Sequence, residues 1–135
     1  MVVIDASIAV SWIIPDERKS FVNNLIKQLL KEGAAVPAIW PHEVVNALSM
    51  SLKRGRLNKH QFNKAMTLLK RVNVSVRGFN AQVDFEQTPE LALKYDLTSY
   101  DASYLALAKN EALPFATLDR KLAKAAIDCG VEVLS

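Results

Sequence analysis

The chain has 135 residues and a net charge of +3, half of its residues are apolar, and it contains one cysteine. A chain of this length buries roughly two thirds of the surface that its unfolded form exposes, so its core needs no disulfide or structural metal. These values exclude disordered, collagen-like and disulfide-stapled proteins, and no Cys/His spacing suggests a zinc ribbon. We predict a single domain over residues 1–135.

The predicted elements alternate between strands and helices along the chain. Short apolar runs predict buried strands at residues 1–4, 35–39, 72–76, 115–118 and 131–134. Apolar residues at helical spacing predict a short helix ending near Trp12 and longer helices at 22–30, 41–52, 62–69, 102–108 and 122–129. This order predicts an α/β protein, a three-layer α/β/α sandwich with a mostly parallel central sheet.

The chain carries no feature typical of export or membrane insertion. The most apolar segment, residues 8–14, is far shorter than the roughly 18 residues that span a bilayer. No basic region precedes the first apolar run, and the lone Cys129 fits a reducing compartment. We therefore expect a cytoplasmic protein that does not bind membranes.

Four acidic residues follow predicted strands or begin predicted helices: Asp5, Glu43, Asp101 and Asp119. Each has an ordinary structural explanation, since Asp5 and Asp119 can cap helices and Glu43 suits a first helical turn. Asp101 completes a Thr-x-x-Asp capping box with Thr98. In an open α/β sheet, however, all four positions fall at one rim, beyond the carboxyl ends of the strands. Their convergence therefore predicts a functional site.

An all-oxygen site of this kind predicts metal-assisted chemistry. Clustered carboxylates repel each other unless a divalent cation balances their charge, and Asp and Glu oxygens favour Mg²⁺ or Mn²⁺ over zinc. Such an ion polarises a phosphoryl oxygen and activates water, which suits phosphodiester hydrolysis. Asn46, one helical turn after Glu43, and the hydroxyl of Thr117, two residues before Asp119, are expected to assist.

Charge along the chain is strongly uneven. Residues 44–83 contain no Asp or Glu and carry +8, whereas the rest of the chain carries −5. A basic surface favours a polyanion such as nucleic acid, although an acidic protein partner also fits. The eight bases are Lys53, Arg54, Arg56, Lys59, Lys64, Lys70, Arg71 and Arg77.

Four blocks of the sequence resemble the PIN domain, in the form found in VapC-type toxins. They are Val2-Val-Ile-Asp5-Ala-Ser7, Pro41-His-Glu43-Val-Val-Asn46, Ser99-Tyr-Asp101-Ala-Ser-Tyr-Leu and Ala116-Thr117-Leu-Asp119. The resemblance implies an α/β/α ribonuclease with an acidic pocket that binds Mg²⁺ or Mn²⁺. It also implies frequent homodimers, an RNA substrate and a cognate antitoxin protein.

The resemblance also implies a role for individual residues. Asp5, Glu43, Asp101 and Asp119 match the acidic quartet of the family, and Ser7, Asn46 and Thr117 match its polar helpers. Our leading hypothesis has metal bound by Asp5, Asp101 and Asp119, with Glu43 acting through water. Where many relatives have a further acid, this chain has Arg120 and Lys121, which argues against two fully occupied metal sites. These two bases, with Arg54 and Arg56, are candidates for binding the RNA backbone.

Other functions compete with hydrolysis. A non-catalytic binding module would keep the fold and use only the basic surface. A phosphoacceptor regulator needs an Asp at the end of the third strand, which residues 72–77 lack, and an aspartyl-phosphate phosphatase needs an acid where Ser7 stands. Trp12 and Trp40 are interpreted as core or interface aromatics, with base stacking as the alternative.

Overall fold

The computed structural model describes residues 1–14 and 20–135. In this part of the chain five short strands form one sheet in the order β3-β2-β1-β4-β5, and all four strand pairings are parallel. The strands are β1 Val2–Ile4, β2 Ala34–Pro37, β3 Val74–Arg77, β4 Phe115–Ala116 and β5 Val133–Leu134. All five predicted strands are therefore confirmed, with ends that move by up to two residues.

Helices cover both faces of the sheet. They are α1 Ala6–Ile13, α2 Ser20–Glu32, α3 Trp40–Lys53, α4 Lys59–Leu69, α5 Thr88–Lys94, α6 Ser99–Glu111 and α7 Arg120–Asp128. The first four pack on one another, whereas α6 lies against β1, β2 and β4 with α5 outside it. The predicted three-layer α/β/α architecture is confirmed.

The core follows from the apolar runs of the sequence. Strands β1 and β2 are almost fully buried, as expected for parallel strands that helices cover on both faces. The apolar faces of α2 and α3 are buried in the same core. Trp40 is buried and Trp12 packs against the core, which agrees with their interpretation as core aromatics.

One helical region is missing from the sequence-based prediction. A π-helical turn at Val83–Gln87 leads directly into α5. Within these two elements only Thr88 and Leu91 are buried, so the helical repeat of apolar residues is too sparse to detect. Pro89 looks like a break in sequence, but it lies in the first turn of α5, where proline is tolerated.

The strand order fixes where a site can form. Strands β2 and β3 lie on one side of β1, and β4 and β5 lie on the other side. The strand order therefore reverses direction between β1 and β4. In open α/β sheets this switch opens a crevice at the carboxyl ends of the strands. Among the described residues, every helix is too short or too polar to cross a membrane.

Candidate active site

Asp5 lies at the carboxyl end of β1 and is only 7% exposed. Its Oδ1 atom caps α1 by accepting hydrogen bonds from the Ser7 amide at 3.0 Å and from the Ser7 hydroxyl at 2.5 Å. Burial raises the pKa of Asp5, although its hydrogen bonds with Ser7, Thr117 and Ile8 act in the opposite direction. The predicted capping role is therefore present, and the carboxylate is held where a nearby cation would stabilise its charge.

The end of β4 is tied directly to this carboxylate. The Thr117 hydroxyl donates to Asp5 Oδ2 and accepts from the Asp119 amide at 3.0 Å. The Leu118 amide donates to the Ser7 hydroxyl at 3.0 Å. These bonds arise because β1 and β4 pair with Ile4 beside Ala116, so that the residues following each strand meet. Ser7 and Thr117 therefore both contact Asp5.

Asp119 and Asp101 begin two different helices near each other. Asp119 is exposed and caps α7, with its Oδ1 accepting from the Leu122 amide at 3.1 Å. Asp101 is half-buried in the first turn of α6, where its amide donates to the Thr98 hydroxyl at 3.1 Å. Burial and the negative charge of Asp119 raise the pKa of Asp101, partly opposed by Thr98 and Lys121. The two carboxylates therefore act on each other electrostatically.

Glu43 is hydrogen-bonded by a residue that sequence analysis did not assign to the site. The hydroxyl of Tyr104, one turn after Asp101 on α6, donates to Glu43 Oε1 at 2.5 Å. Burial raises the pKa of Tyr104, as do the hydrogen bond to Glu43 and the charges of Glu43, Asp5 and Asp101. Asn46, which is expected to assist one turn after Glu43, is exposed, and the hydrogen-bond donor to Glu43 comes from α6. Only the spacing of Tyr104 three residues after Asp101 could have indicated this role.

The donor set has the chemistry for Mg²⁺ or Mn²⁺ but forms no closed cage. Among the described residues, no three Asp, Glu, His or Cys side chains lie close enough together to hold one metal ion. Asp5, Asp101 and Asp119 do not by themselves form a closed cage there, so any ion that they hold would also need water ligands. Mg²⁺ usually binds through one or two carboxylates and several waters, and these oxygens fit that mode.

The candidate RNA-binding bases divide between two places. Arg120 and Lys121 are exposed in the first turn of α7, next to Asp119, and Lys121 Nζ donates to the Asp96 carbonyl at 2.7 Å. Arg54 follows the last turn of α3, and eleven residues at 1.5 Å rise place it about 16 Å along the helix from Glu43. Arg56 follows it in the turn toward α4.

Seven of the eight bases are exposed on helices α3 and α4 or in the turns that follow them, and this set is here called the basic hairpin. They are Lys53, Arg54, Arg56, Lys59, Lys64, Lys70 and Arg71. Arg77 does not belong to it, because its guanidinium forms a forked ion pair with Glu111, at 2.8 Å from Nε to Oε2 and 2.7 Å from Nη2 to Oε1. This pairing lowers the pKa of Glu111. Glu111 therefore offsets the charge of Arg77, and we keep Arg77 apart from the basic hairpin.

A cavity of about 550 Å³ lies beside the acidic site but contains none of its four acids. It follows the carboxyl ends of β2 and β3 and is lined on α6 by Tyr100, Ser103 and Leu107, on the helix face opposite Asp101. Phe79 lines it as well, and Phe79 and Phe85 are 69% and 73% exposed with ring centroids 5.2 Å apart.

Comparisons with known proteins agree on one family and fold. The model of the PIN domain matches residues 2–128. Ribonuclease VapC3 of Pyrobaculum aerophilum is 29% identical over 122 residues, which cover 90% of this chain and 92% of that protein.

Two solved structures share the fold at low sequence identity. VapBC2 of Rickettsia felis, bound to a DNA fragment from the promoter, aligns with a TM-score of 0.71 and 17% identity, over 99% of this chain and 98% of that one. Mycobacterium tuberculosis VapC20, a toxin that cleaves the sarcin-ricin loop, aligns with a TM-score of 0.63 and 14% identity, over 93% of this chain and 95% of that one.

Proposed function

The chain belongs to the PIN domain family, and on that basis we propose that it is an endoribonuclease that depends on Mg²⁺ or Mn²⁺ and acts as the toxin of a toxin–antitoxin pair. The observation that carries the proposal is the buried Asp5 at the strand switch point, hydrogen-bonded by Ser7 and Thr117. A carboxylate that is costly to bury and held by several donors is typical of a functional site. The ribonuclease name of the relative supports RNA as the substrate.

In this proposal Asp5, Asp101 and Asp119 are the carboxylates that hold the metal, in part through water. When bound, Mg²⁺ or Mn²⁺ supplies a polarised phosphoryl oxygen and a more acidic bound water. Ser7 and Thr117 fix the orientation of the Asp5 carboxylate. Glu43 has one oxygen engaged by Tyr104, which leaves its other oxygen to orient the attacking water.

The RNA backbone is expected to bind on two sides of this site. Arg120 and Lys121 extend next to Asp119, where they can contact the phosphate to be cleaved. The basic hairpin lies farther away and can contact several phosphates of a longer single strand. Attack by water does not use the 2′-hydroxyl, so any preference for RNA must come from such contacts outside the acidic site.

The decisive experiment measures cleavage of an RNA pool with and without metal. Protein treated with chelator should be inactive and should regain cleavage when Mg²⁺ or Mn²⁺ is returned. Asp5→Asn keeps the helix cap but removes the charge, and we expect at least about a thousandfold slower cleavage with RNA binding within threefold of the wild type. Cleavage that persists in chelator would refute the metal mechanism.

The same experiment separates the enzyme from a non-catalytic binding module. A binding module would show no metal-dependent cleavage by the wild type and equal RNA binding by the wild type and Asp5→Asn. A single-stranded DNA of matched sequence, included as a second substrate, measures the preference for RNA directly.

We propose two protein partners, an antitoxin and a second copy of the chain. Structural neighbours such as VapBC2 are toxin–antitoxin proteins, which supports an antitoxin here. The exposed pair Phe79 and Phe85 beside the cavity is the best candidate for a homodimer surface, because large exposed aromatics mark interfaces. In sedimentation, the wild type should be a dimer and the double variant Phe79→Ser/Phe85→Ser a monomer.

The cytoplasmic location of the protein stays a prediction.

A further inference from the structure

Tyr104 is fixed in the core, and its hydroxyl reaches into the acidic site. The residue is 1% exposed, and its ring stacks on Phe115 with centroids 6.2 Å apart and planes 25° from parallel. Phe115 belongs to β4 and pairs with Val3 of the central strand. The ring therefore cannot shift without disturbing the sheet, and its hydroxyl is held at a fixed position.

The hydroxyl connects two helices that otherwise pack on different neighbours. Helix α3, which carries Glu43, packs mainly on α1, whereas α6, which carries Tyr104, packs on α5 and the sheet. A carboxylate only accepts hydrogen bonds, so the hydroxyl proton points to Glu43 Oε1. Within the described residues, Tyr104 is the one side chain that hydrogen-bonds Glu43.

We infer that Tyr104 is a positioning residue, whose buried hydroxyl holds Glu43 Oε1 and leaves Oε2 of the same carboxylate to bind the attacking water. The role given to Glu43 rests on the proposed function, whereas the hydrogen bond between Tyr104 and Glu43 does not depend on it. A freely rotating Glu43 would lose orientation, and small displacements of a catalytic group lower the rate strongly. Tyr104 itself touches neither metal nor substrate in this scheme.

The contact is tested first without metal or RNA, by a double-mutant cycle on melting temperature in chelator. Tyr104→Phe keeps the ring and should lower the melting temperature of the wild type by about 5 °C, since a hydrogen bond to a charged group is lost. In a Glu43→Ala background, Tyr104→Phe should lower the melting temperature by less than about 2 °C. Tyr100→Phe, an exposed tyrosine one turn earlier on α6, is the matched control and should change neither background.

Equal losses in the two backgrounds would overturn the inference, because they would show that the hydroxyl supports packing and not Glu43. If Tyr104→Phe does not fold, the contact is tested from the other side. Glu43→Gln keeps an acceptor oxygen and should melt about 4 °C above Glu43→Ala. Glu90 begins α5 in a comparable first turn and is exposed, so its Gln and Ala variants should melt alike. Equal melting temperatures of Glu43→Gln and Glu43→Ala would also overturn the inference.

The positioning role is tested by splitting kcat from KM. Tyr104→Phe should lower kcat for RNA about tenfold and leave KM within threefold, because the basic hairpin is unchanged. In a Glu43→Ala background, where no carboxylate is left to hold, it should lower kcat no further, and a further loss there would contradict the role. If the wild type cleaves no RNA with any metal, the proposed function fails, while the melting cycle still decides whether Tyr104 holds Glu43.

Discussion

The acidic site and the basic hairpin hold their charges in opposite ways. Asp5, Glu43 and Asp119 each accept a hydrogen bond from a named partner, and Asp5 is almost fully buried. The bases of the hairpin are all exposed, on α3 and α4 and in the turns that follow these helices. The fold therefore fixes the position of each charge in the acidic site, whereas in the basic hairpin it sets only the sign and the density of charge.

This difference predicts different responses to substitution. A site that depends on orientation should lose most of its activity when one atom of its support is removed. A surface that depends on charge density should lose affinity gradually, in proportion to the charges removed and to the salt concentration. The following predictions test whether the two regions respond in these ways.

After the loss expected for Asp5→Asn itself, the largest effect is expected from Thr117→Val, which removes the hydroxyl that links Asp5 to the start of α7. Cleavage should fall about thirtyfold or more, because both the Asp5 orientation and the Asp119 amide lose a partner. Thr88→Val is the matched control, since Thr88 is also buried and donates to the Val83 carbonyl far from the acids. Equal losses of activity in the two variants would show that the acidic site needs no specific support.

A smaller and graded effect is expected from the basic hairpin. Replacing Arg54, Lys59 and Lys64 together by Gln should weaken RNA binding by about tenfold to a hundredfold at low salt. It should also reduce the slope of log affinity against log salt by about 2, since each contact to a single strand contributes about 0.7. The same change at Lys27, Lys31 and Lys109, exposed elsewhere, should leave the slope nearly unchanged. If both sets of substitutions reduced this slope equally, RNA binding would depend on the net charge of the protein and not on the basic hairpin.

The burial of Asp5 predicts a stability effect in the metal-free protein. Because burial raises the pKa of Asp5, the folded state binds its proton more tightly than the unfolded state. The free energy of unfolding must then fall as pH rises above the ordinary value of 3.8. Asp5→Asn removes this penalty, so it should melt roughly 3 °C above the wild type at pH 7.5, with the difference shrinking toward pH 4.

Two controls make the Asp5 prediction specific. Glu132→Gln, which removes the charge of an exposed acid, should melt at the same temperature as the wild type at pH 7.5. Adding Mn²⁺ should raise the melting temperature of the wild type more than that of Asp5→Asn, because the ion stabilises only the charged form. A lower melting temperature for Asp5→Asn at neutral pH would contradict the prediction.

The smallest effect is expected at Arg77, the base that belongs to neither region. Arg77→Gln should cost about 0.5 to 1 kcal/mol in urea unfolding at neutral pH, as a partly exposed ion pair does. The pairing lowers the pKa of Glu111, so its stabilisation is present above the ordinary pKa of that group and is lost as pH falls through the folded value. The salt dependence of RNA binding should not change, and a change would return Arg77 to the RNA-binding surface.

Much of the fold was predictable because its elements are local and strongly patterned. Each strand is a short apolar run, and α2 and α3 repeat apolar residues at helical spacing. Capping chemistry also placed Asp5, Asp101 and Asp119 correctly at strand and helix ends. The region of α5 was not predicted because its buried residues are too few to form a repeat.

The site was predictable in its positions but not in its partners. Asn46 was expected to assist Glu43 from the same helix, whereas the hydrogen-bond donor to Glu43 is Tyr104, which is 61 residues away and resembles a core residue in sequence. Arg77 was counted among the eight bases, and its partner Glu111, 34 residues away, could not be predicted from its neighbours in sequence. Tertiary pairings of this kind leave no local pattern. Metal binding stays a prediction, which in the described part of the chain has no closed carboxylate cage behind it.

The pairing of β1 with β4 has a consequence for protein synthesis. Asp5 is synthesised 112 residues before Thr117, whose hydroxyl donates to it, and Asp119 follows two residues after Thr117. In a nascent chain these groups therefore meet only after β4 has left the ribosome and joined the sheet. If the protein cleaves RNA, the ribosome that synthesises it is not exposed to that activity before this point.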